Sequence, residues 1–131
     1  MVCELKTCRI NKDLDLPVLL DWYRHHGWDQ FTADIFPETG FIIHDHAALW
    51  MYVDKDSVMG WVAWQVINPR KNPAMSFRAL HLLTERAERE AEKLGLHVLK
   101  QTVSHSSLKK LALRHNYLVA EENMTSFMKA I

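Results

Sequence analysis

The feature that most constrains this chain is a single apolar stripe between residues 76 and 94. Leu80, Leu83, Ala87, Ala91 and Leu94 step by three and four, which on a 3.6-residue period places all five on one face of a helix. Ser76 offers a cap at the start, and Gly95 stops the run. Glu85 with Arg89 and Arg86 with Glu90 are opposite charges four apart, expected on the outer, solvated face. A helix of this length with one apolar stripe must bury it against another layer.

The upstream sequence supplies that layer. Phe41-Ile42-Ile43 reads as a short strand and Ala47–Val53 as a second. A polar turn, Asp54-Lys55-Asp56-Ser57, leads to a third strand, Val58–Ile67, so the last two form a hairpin. Asn68-Pro69 closes this meander, and an irregular basic stretch, Arg70-Lys71-Asn72-Pro73-Ala74-Met75, joins it to the long helix. Residues 2–9 alternate well enough for an opening strand. Asp13 or Asp15 can then cap a helix, with Pro17 in its first turn. Leu16, Leu19, Leu20 and Tyr23 form its stripe, and Gly27 ends it. Residues 29–36 read as a short helix or turn stopped by Pro37. After the long helix come a strand at His97–Val103, a capping cluster at Ser104–Ser107 and a helix at Leu108–His115. Closing strands are expected at about Tyr117–Ala120 and Met124–Ala130. The predicted order is β-α-(α)-β-β-β-α-β-α-β-β, with residues 1–131 as one domain.

Charge narrows the partners. Sixteen Lys/Arg balance sixteen Asp/Glu, whereas gripping a nucleic acid backbone needs a basic excess. Zero net charge leaves little repulsion between copies, so a homodimer is compatible with it. Apolar runs are strand-length, far short of the roughly twenty residues of a membrane span. Met1–Lys6 has no apolar run with a cleavage site, so no secretory signal is expected. On one strand Cys3 and Cys8 would point to opposite faces roughly 16 Å apart, whereas a disulfide needs Cα atoms within about 7 Å. Free thiols fit a reducing, cytoplasmic compartment.

The element order, with these lengths, resembles the GNAT (Gcn5-related N-acetyltransferase) superfamily over nearly the whole chain. Asp13–His26 sits where that family has its first helix. Met59-Gly60-Trp61-Val62-Ala63-Trp64-Gln65-Val66 resembles its central strand, and Phe77–Leu83 through Leu96 resembles the long helix after the cofactor loop. His105 to Tyr117, with Leu108, Leu111 and Asn116-Tyr117, resembles its later Asn-to-Gly-Phe passage. The resemblance implies an α/β (α+β) acyl-CoA N-acyltransferase fold, a mixed, mostly antiparallel sheet flanked by helices. It also implies transfer of an acetyl group from acetyl-CoA to an amine on a small molecule or protein. Three departures stand out. The family loop carries glycines whose amides approach the pyrophosphate, but here Asn72-Pro73-Ala74-Met75-Ser76-Phe77 has none. Ala112 falls where the family often places a Tyr that protonates the departing thiolate, and His105 replaces an Asn. Small stripped-down sequences of this look resemble bacterial and phage-encoded relatives. A non-catalytic descendant that binds a protein partner or itself is the competing expectation.

The resemblance marks candidate residues, each with a plainer role beside it. Val66 and Ile67 would pair backbone groups with the pantetheine arm, or simply fill the sheet core. Arg70, Lys71 and Arg78 would supply charge to a pyrophosphate and Met75, Ser76, Phe77 and Arg78 open amides, or the segment is a solvated basic loop. Ser104 and His105 would take the amine proton directly or through water, or they cap a helix. His44-Asp45-His46 puts two imidazoles on one face of an extended chain, yet a zinc site needs four ligands, so no metal is expected. Trp61 and Trp64 differ by three and face opposite sides of a regular strand unless a bulge intervenes. Aromatic surface there could line a substrate pocket or a dimer contact, or Trp packs in the core.

Overall fold

A computed structural model describes residues 5–28, 33–103, 106–121 and 129. Five strands and three helices follow one another as β1 (Cys8–Arg9), α1 (Lys12–His25), β2 (Thr39–Ile43), β3 (Ala47–Val53), β4 (Met59–Ile67), α2 (Pro73–Lys93), β5 (Val98–Gln101) and α3 (Ser106–Arg114), with a 3-10 turn at Ala33–Ile35. The strands form one sheet in sequence order. β1 to β4 pair antiparallel, and β4 pairs with β5 in parallel. A parallel pair needs a crossover, and α2 supplies it. This is the mixed, mostly antiparallel α+β architecture the sequence predicts.

Two apolar clusters lie on the two faces of the sheet. Toward α1, Leu16, Leu19, Trp22 and Tyr23 pack with Phe36, Ile42, Ala48, Trp50 and Val66. Toward α2, Ala79, Leu80, Leu83, Ala87 and Ala91 pack with Phe41, Ile43, Leu49, Met51 and Val62. Leu108 and Leu111 bring α3 onto that second cluster. Alternation along β3 explains the split, since its odd-numbered side chains face α2 and its even-numbered ones face α1.

Several boundaries move, each for a physical reason. Asn11, not Asp13 or Asp15, caps α1: its side-chain oxygen accepts from the Asp13 and Leu14 amides at 3.0 and 3.4 Å. Asp15 turns back instead to accept from the Asn11 amide at 2.8 Å. Pro17 consequently lies inside the helix rather than in its first turn. Likewise α2 starts at Pro73, capped by Asn72, rather than at Ser76. Pro at the first helical position after an Asn cap is favourable because the missing N–H would be unpaired anyway. Gly95, at φ 74°, ends α2 as expected. Among the described residues the opening strand is only Cys8–Arg9, and β5 is shorter than His97–Val103. Tyr117–Ala120 is not a strand, with Leu118 left 91% exposed; most of the other closing strand, Met124–Ala130, lies outside the described residues, as does Cys3.

The polar pattern of α2 is not all outward. Glu90 is only 5% exposed. It accepts from Arg86 at 3.1 Å and from Arg9 of β1, and both guanidinium groups lie over the Phe41 ring. Glu85 pairs with His81 at 3.2 Å rather than with Arg89. On the other side of His81, its Nδ1 shares a 2.8 Å hydrogen bond with Nε2 of His115, which ties the end of α3 to α2.

Candidate active site

The pairing of β4 with β5 runs only from Met59–Val98 to Val62–Gln101, while β4 continues to Ile67. The β5-facing edge of residues 63–67 therefore has no strand partner among the described residues. A single side-chain bond, Gln65 Nε2 donating to Gln101 Oε1 at 2.9 Å, spans the two strands at this point. Chain leaving β4 enters α2 and chain leaving β5 enters α3, so both helices begin beside this opening. Ligands of open sheets bind where strand ends part in this way.

A bulge shapes the rim. Ala48 pairs with Val66 and Trp50 with Ala63, so Trp64 and Gln65 together oppose Leu49. Trp64 takes φ 56° to make room. A bulky residue in that region costs of order 1–3 kcal/mol and persists only where surroundings enforce it. Here they do. The Tyr23 hydroxyl donates to the Trp64 carbonyl at 2.6 Å, and the Trp64 indole N–H donates to the Tyr52 hydroxyl at 2.8 Å. Tyr52 in turn donates to the Ile35 carbonyl at 2.7 Å. Trp28 stands edge-on to Trp64 with ring centres 6.3 Å apart and stacks on Tyr23 at 5.5 Å. Because of the bulge, Trp61 and Trp64 do not take opposite faces: Trp61 pairs with Tyr52 on the α1 side, where Trp64 also packs.

The residues marked in the sequence fall along the rim from 66 to 78. Val66 is buried toward α1, and Ile67 packs toward α2, its carbonyl 3.2 Å from Nε2 of His26. Arg70 is committed to Asp21 of α1 at 2.8 Å. Asn68 braces the turn, accepting from the Arg70 amide at 3.0 Å and donating to the Asp45 carbonyl at 2.9 Å. Lys71 and Arg78 are exposed and have no ion-pair partner among the described residues.

The earlier start of α2 changes what Met75, Ser76, Phe77 and Arg78 can offer. Pro73 has no N–H, the Ala74 amide donates to the Asn72 side chain at 2.8 Å, and the Ser76 amide donates to the Asn72 carbonyl at 3.1 Å. Ser76 is fully buried, and Phe77 packs into the α2-side cluster. The amides of Ser76, Phe77 and Arg78 therefore belong to the body of the helix, and Met75 is the one first-turn amide without an acceptor among the described residues. Ser104 and His105 lie outside the described residues. Ala112, in α3, is 8% exposed. Among the described residues no three His, Cys, Asp or Glu side chains gather as metal ligands; His44 instead meets Asp15 at 3.1 Å. No helix among them is long and apolar enough to cross a membrane.

Sequence reasoning gave Tyr23 only a place in the stripe of α1 and did not single out Gln65 or Gln101. The signal available for the bulge was the Trp61/Trp64 spacing, two large rings three apart in one strand.

No family model matches this chain, and no curated protein matches it. Solved structures do. The chain superimposes on a structure described as a "probable acetyltransferase" with a TM-score of 0.67 at 9% identity, covering 98% of this chain and 99% of that one. An acetyltransferase of Trypanosoma brucei matches with a TM-score of 0.61 at 13% identity, covering 95% and 100%. An aminoglycoside acetyltransferase from an uncultured soil metagenomic sample, in complex with trehalose, matches with a TM-score of 0.60 at 12% identity, covering 97% and 96%. At such identities the likeness is one of fold: from its first strand to α3 this chain has the fold of the GNAT acetyltransferases.

Proposed function

We propose that the protein is an N-acetyltransferase that uses acetyl-CoA. The observation that carries this reading is the rim of β4: a bulged strand whose outer edge loses its parallel partner beside the starts of two helices. A pantetheine arm laid along residues 65–67 would complete the interrupted ladder with its own amides. The thioester carbonyl would then lie at the bulge, where a strand amide can polarise it as the amine attacks. The pyrophosphate would meet the Met75 amide, Lys71 and Arg78, with Arg70 released from Asp21. The amine nitrogen bonds to the acetyl carbon, the C–S bond breaks, and one proton leaves the amine, with Ser104 and His105 the candidates for receiving it. Holding the two reactants in register is the protein's other contribution. The free thiol of Cys8 suits a reducing compartment, and the cytoplasm is the setting this reading proposes.

A second reading has a specific observation behind it. The first turn of α2 offers one unpaired amide where an anion site would use several, which favours a non-catalytic protein that binds a partner or a second copy. Thermal-shift titration separates the two. Acetyl-CoA and CoA at about a hundred times their Kd should add roughly 2.7 kcal/mol, a rise of several degrees, while ATP leaves the transition in place. No shift at millimolar CoA would reject the enzyme reading in favour of the second.

A further inference from the structure

The Tyr23 hydroxyl is a buried group aimed at one strand carbonyl, and the peptide it holds is the one at the bulge. In a trans peptide the C=O and the following N–H point in opposite directions, and no cis bond occurs among the described residues. Tyr23 belongs to the α1-side cluster and is fully buried. Its bond at 2.6 Å draws the Trp64 carbonyl toward the α1 layer, which turns the Gln65 N–H toward the side of α2 and α3. That is the side from which a cofactor seated at the start of α2 reaches the strand. We propose that Tyr23 is a positioning residue, which fixes the Trp64–Gln65 peptide so that the Gln65 amide faces the acetyl carbonyl; the catalytic half of this inference rests on the acetyltransferase reading above.

Three observations bear on it independently. The left-handed φ of 56° at Trp64 is the rotation that takes the carbonyl out of the ladder, and tryptophan has no intrinsic preference for it. The indole is anchored separately through Tyr52 to the Ile35 carbonyl, so peptide and side chain are held from two directions. Burial pushes the Tyr23 phenol above its ordinary range, so the hydroxyl is a proton donor at every working pH. A tyrosine serving packing alone would keep its ring contacts with Trp28 and Phe36 without needing the oxygen.

Tyr23→Phe keeps the ring and deletes the donor. In the full-length protein, 1H–15N spectra should show the Gln65 amide displaced while amides in the body of α2 stay in place. This readout needs no turnover. With acetyl-CoA and a free primary amine that the wild-type protein acetylates, kcat should fall about ten- to hundredfold, short of the 10²–10³ for outright loss of an oxyanion donor, with the acetyl-CoA KM within about twofold. 3-Fluorotyrosine at position 23, a stronger donor in the same volume, guards against a Tyr23→Phe protein that does not fold. It should move the Gln65 shift opposite to Tyr23→Phe. A Gln65 amide unmoved by both substitutions overturns the positioning role. A displaced amide with kcat and KM unchanged in an active protein overturns its catalytic part. A displaced amide in a wild-type protein that binds no CoA keeps the clamp and removes the acetyltransferase reading instead.

Discussion

Replacing Glu90 by Gln should destabilise the protein by about 2–3 kcal/mol near neutral pH. Glu90 is 5% exposed and joins Arg86 of its own helix to Arg9 of β1. Hydrogen bonds to charged groups contribute about 1.5–3 kcal/mol each. The Arg86 side chain is 21% exposed, so its bond counts near that range. Arg9 is 56% exposed, so its share is discounted toward the few tenths to one kcal/mol of a surface pair. For a chain this long, the sum corresponds to roughly 10 °C in Tm. The pH dependence gives a sharper test. Burial pushes the Glu90 carboxyl up, but the Arg86 hydrogen bond and the Arg9 charge outweigh it, and the net displacement is downward. The unfolded chain therefore takes up this proton first as pH falls. The stability is fully present above the unfolded value of about 4.3 and is lost as pH drops through the folded one. Urea titrations of wild type and Glu90→Gln should differ by a constant amount from about pH 8 to 5.5 and converge below about pH 4. A difference that stays constant to pH 3, or one under about 0.5 kcal/mol at pH 7, would refute the assignment of this carboxylate as the tie between β1 and α2.

Leu83→Ala removes a side chain with no exposed surface from the α2-side cluster and should cost about 2–5 kcal/mol by chemical denaturation. Asp21→Asn breaks a pair whose side chains are 58% and 53% exposed, so Tm should hardly change. It should nevertheless tighten CoA binding several-fold by calorimetry, because Arg70 no longer has to leave a partner; unchanged or weaker binding counts against Arg70 as a phosphate ligand. Ala112→Tyr puts a phenol into a site 8% exposed and should destabilise by about 1–3 kcal/mol, seen as a lower Tm whether or not activity changes.

The long helix and the meander were legible because burial shaped their sequences: Leu80, Leu83, Ala87 and Ala91 carry the 3.6 repeat, and β3, packed on both faces, is an unbroken apolar run of strand length. The start of α2 misled for a local reason. Ser76 has the right chemistry for a cap, but Asn72-Pro73 has it too, and Ser76 is buried in the helix body against the sheet instead. Glu90 looked like half of a surface pair because spacing along one helix says nothing of Arg9, which arrives from β1. The bulge was the least legible feature. No glycine marks Trp64, and its left-handed backbone is imposed by hydroxyls of Tyr23 and Tyr52, brought from α1 and β3 by the completed fold. Val66 through Arg78 were placed along the rim by resemblance, whereas the groups that shape the rim come from distant sequence.

The parallel pairing of β4 with β5 has a consequence for how the molecule breathes. The β2–β3 and β3–β4 contacts are made across turns, but β5 reaches β4 only after all of α2 has been laid down, as β1 meets β2 only across α1. Closing that long loop costs more chain entropy than closing a hairpin, and only four residue pairs repay it. Amides of β5 should therefore exchange with solvent through a smaller opening free energy than those of β2 and β3. The opening where the proposed cofactor lies would then widen without disturbing the meander, so that bulky ligands could enter and leave on a route separate from global unfolding.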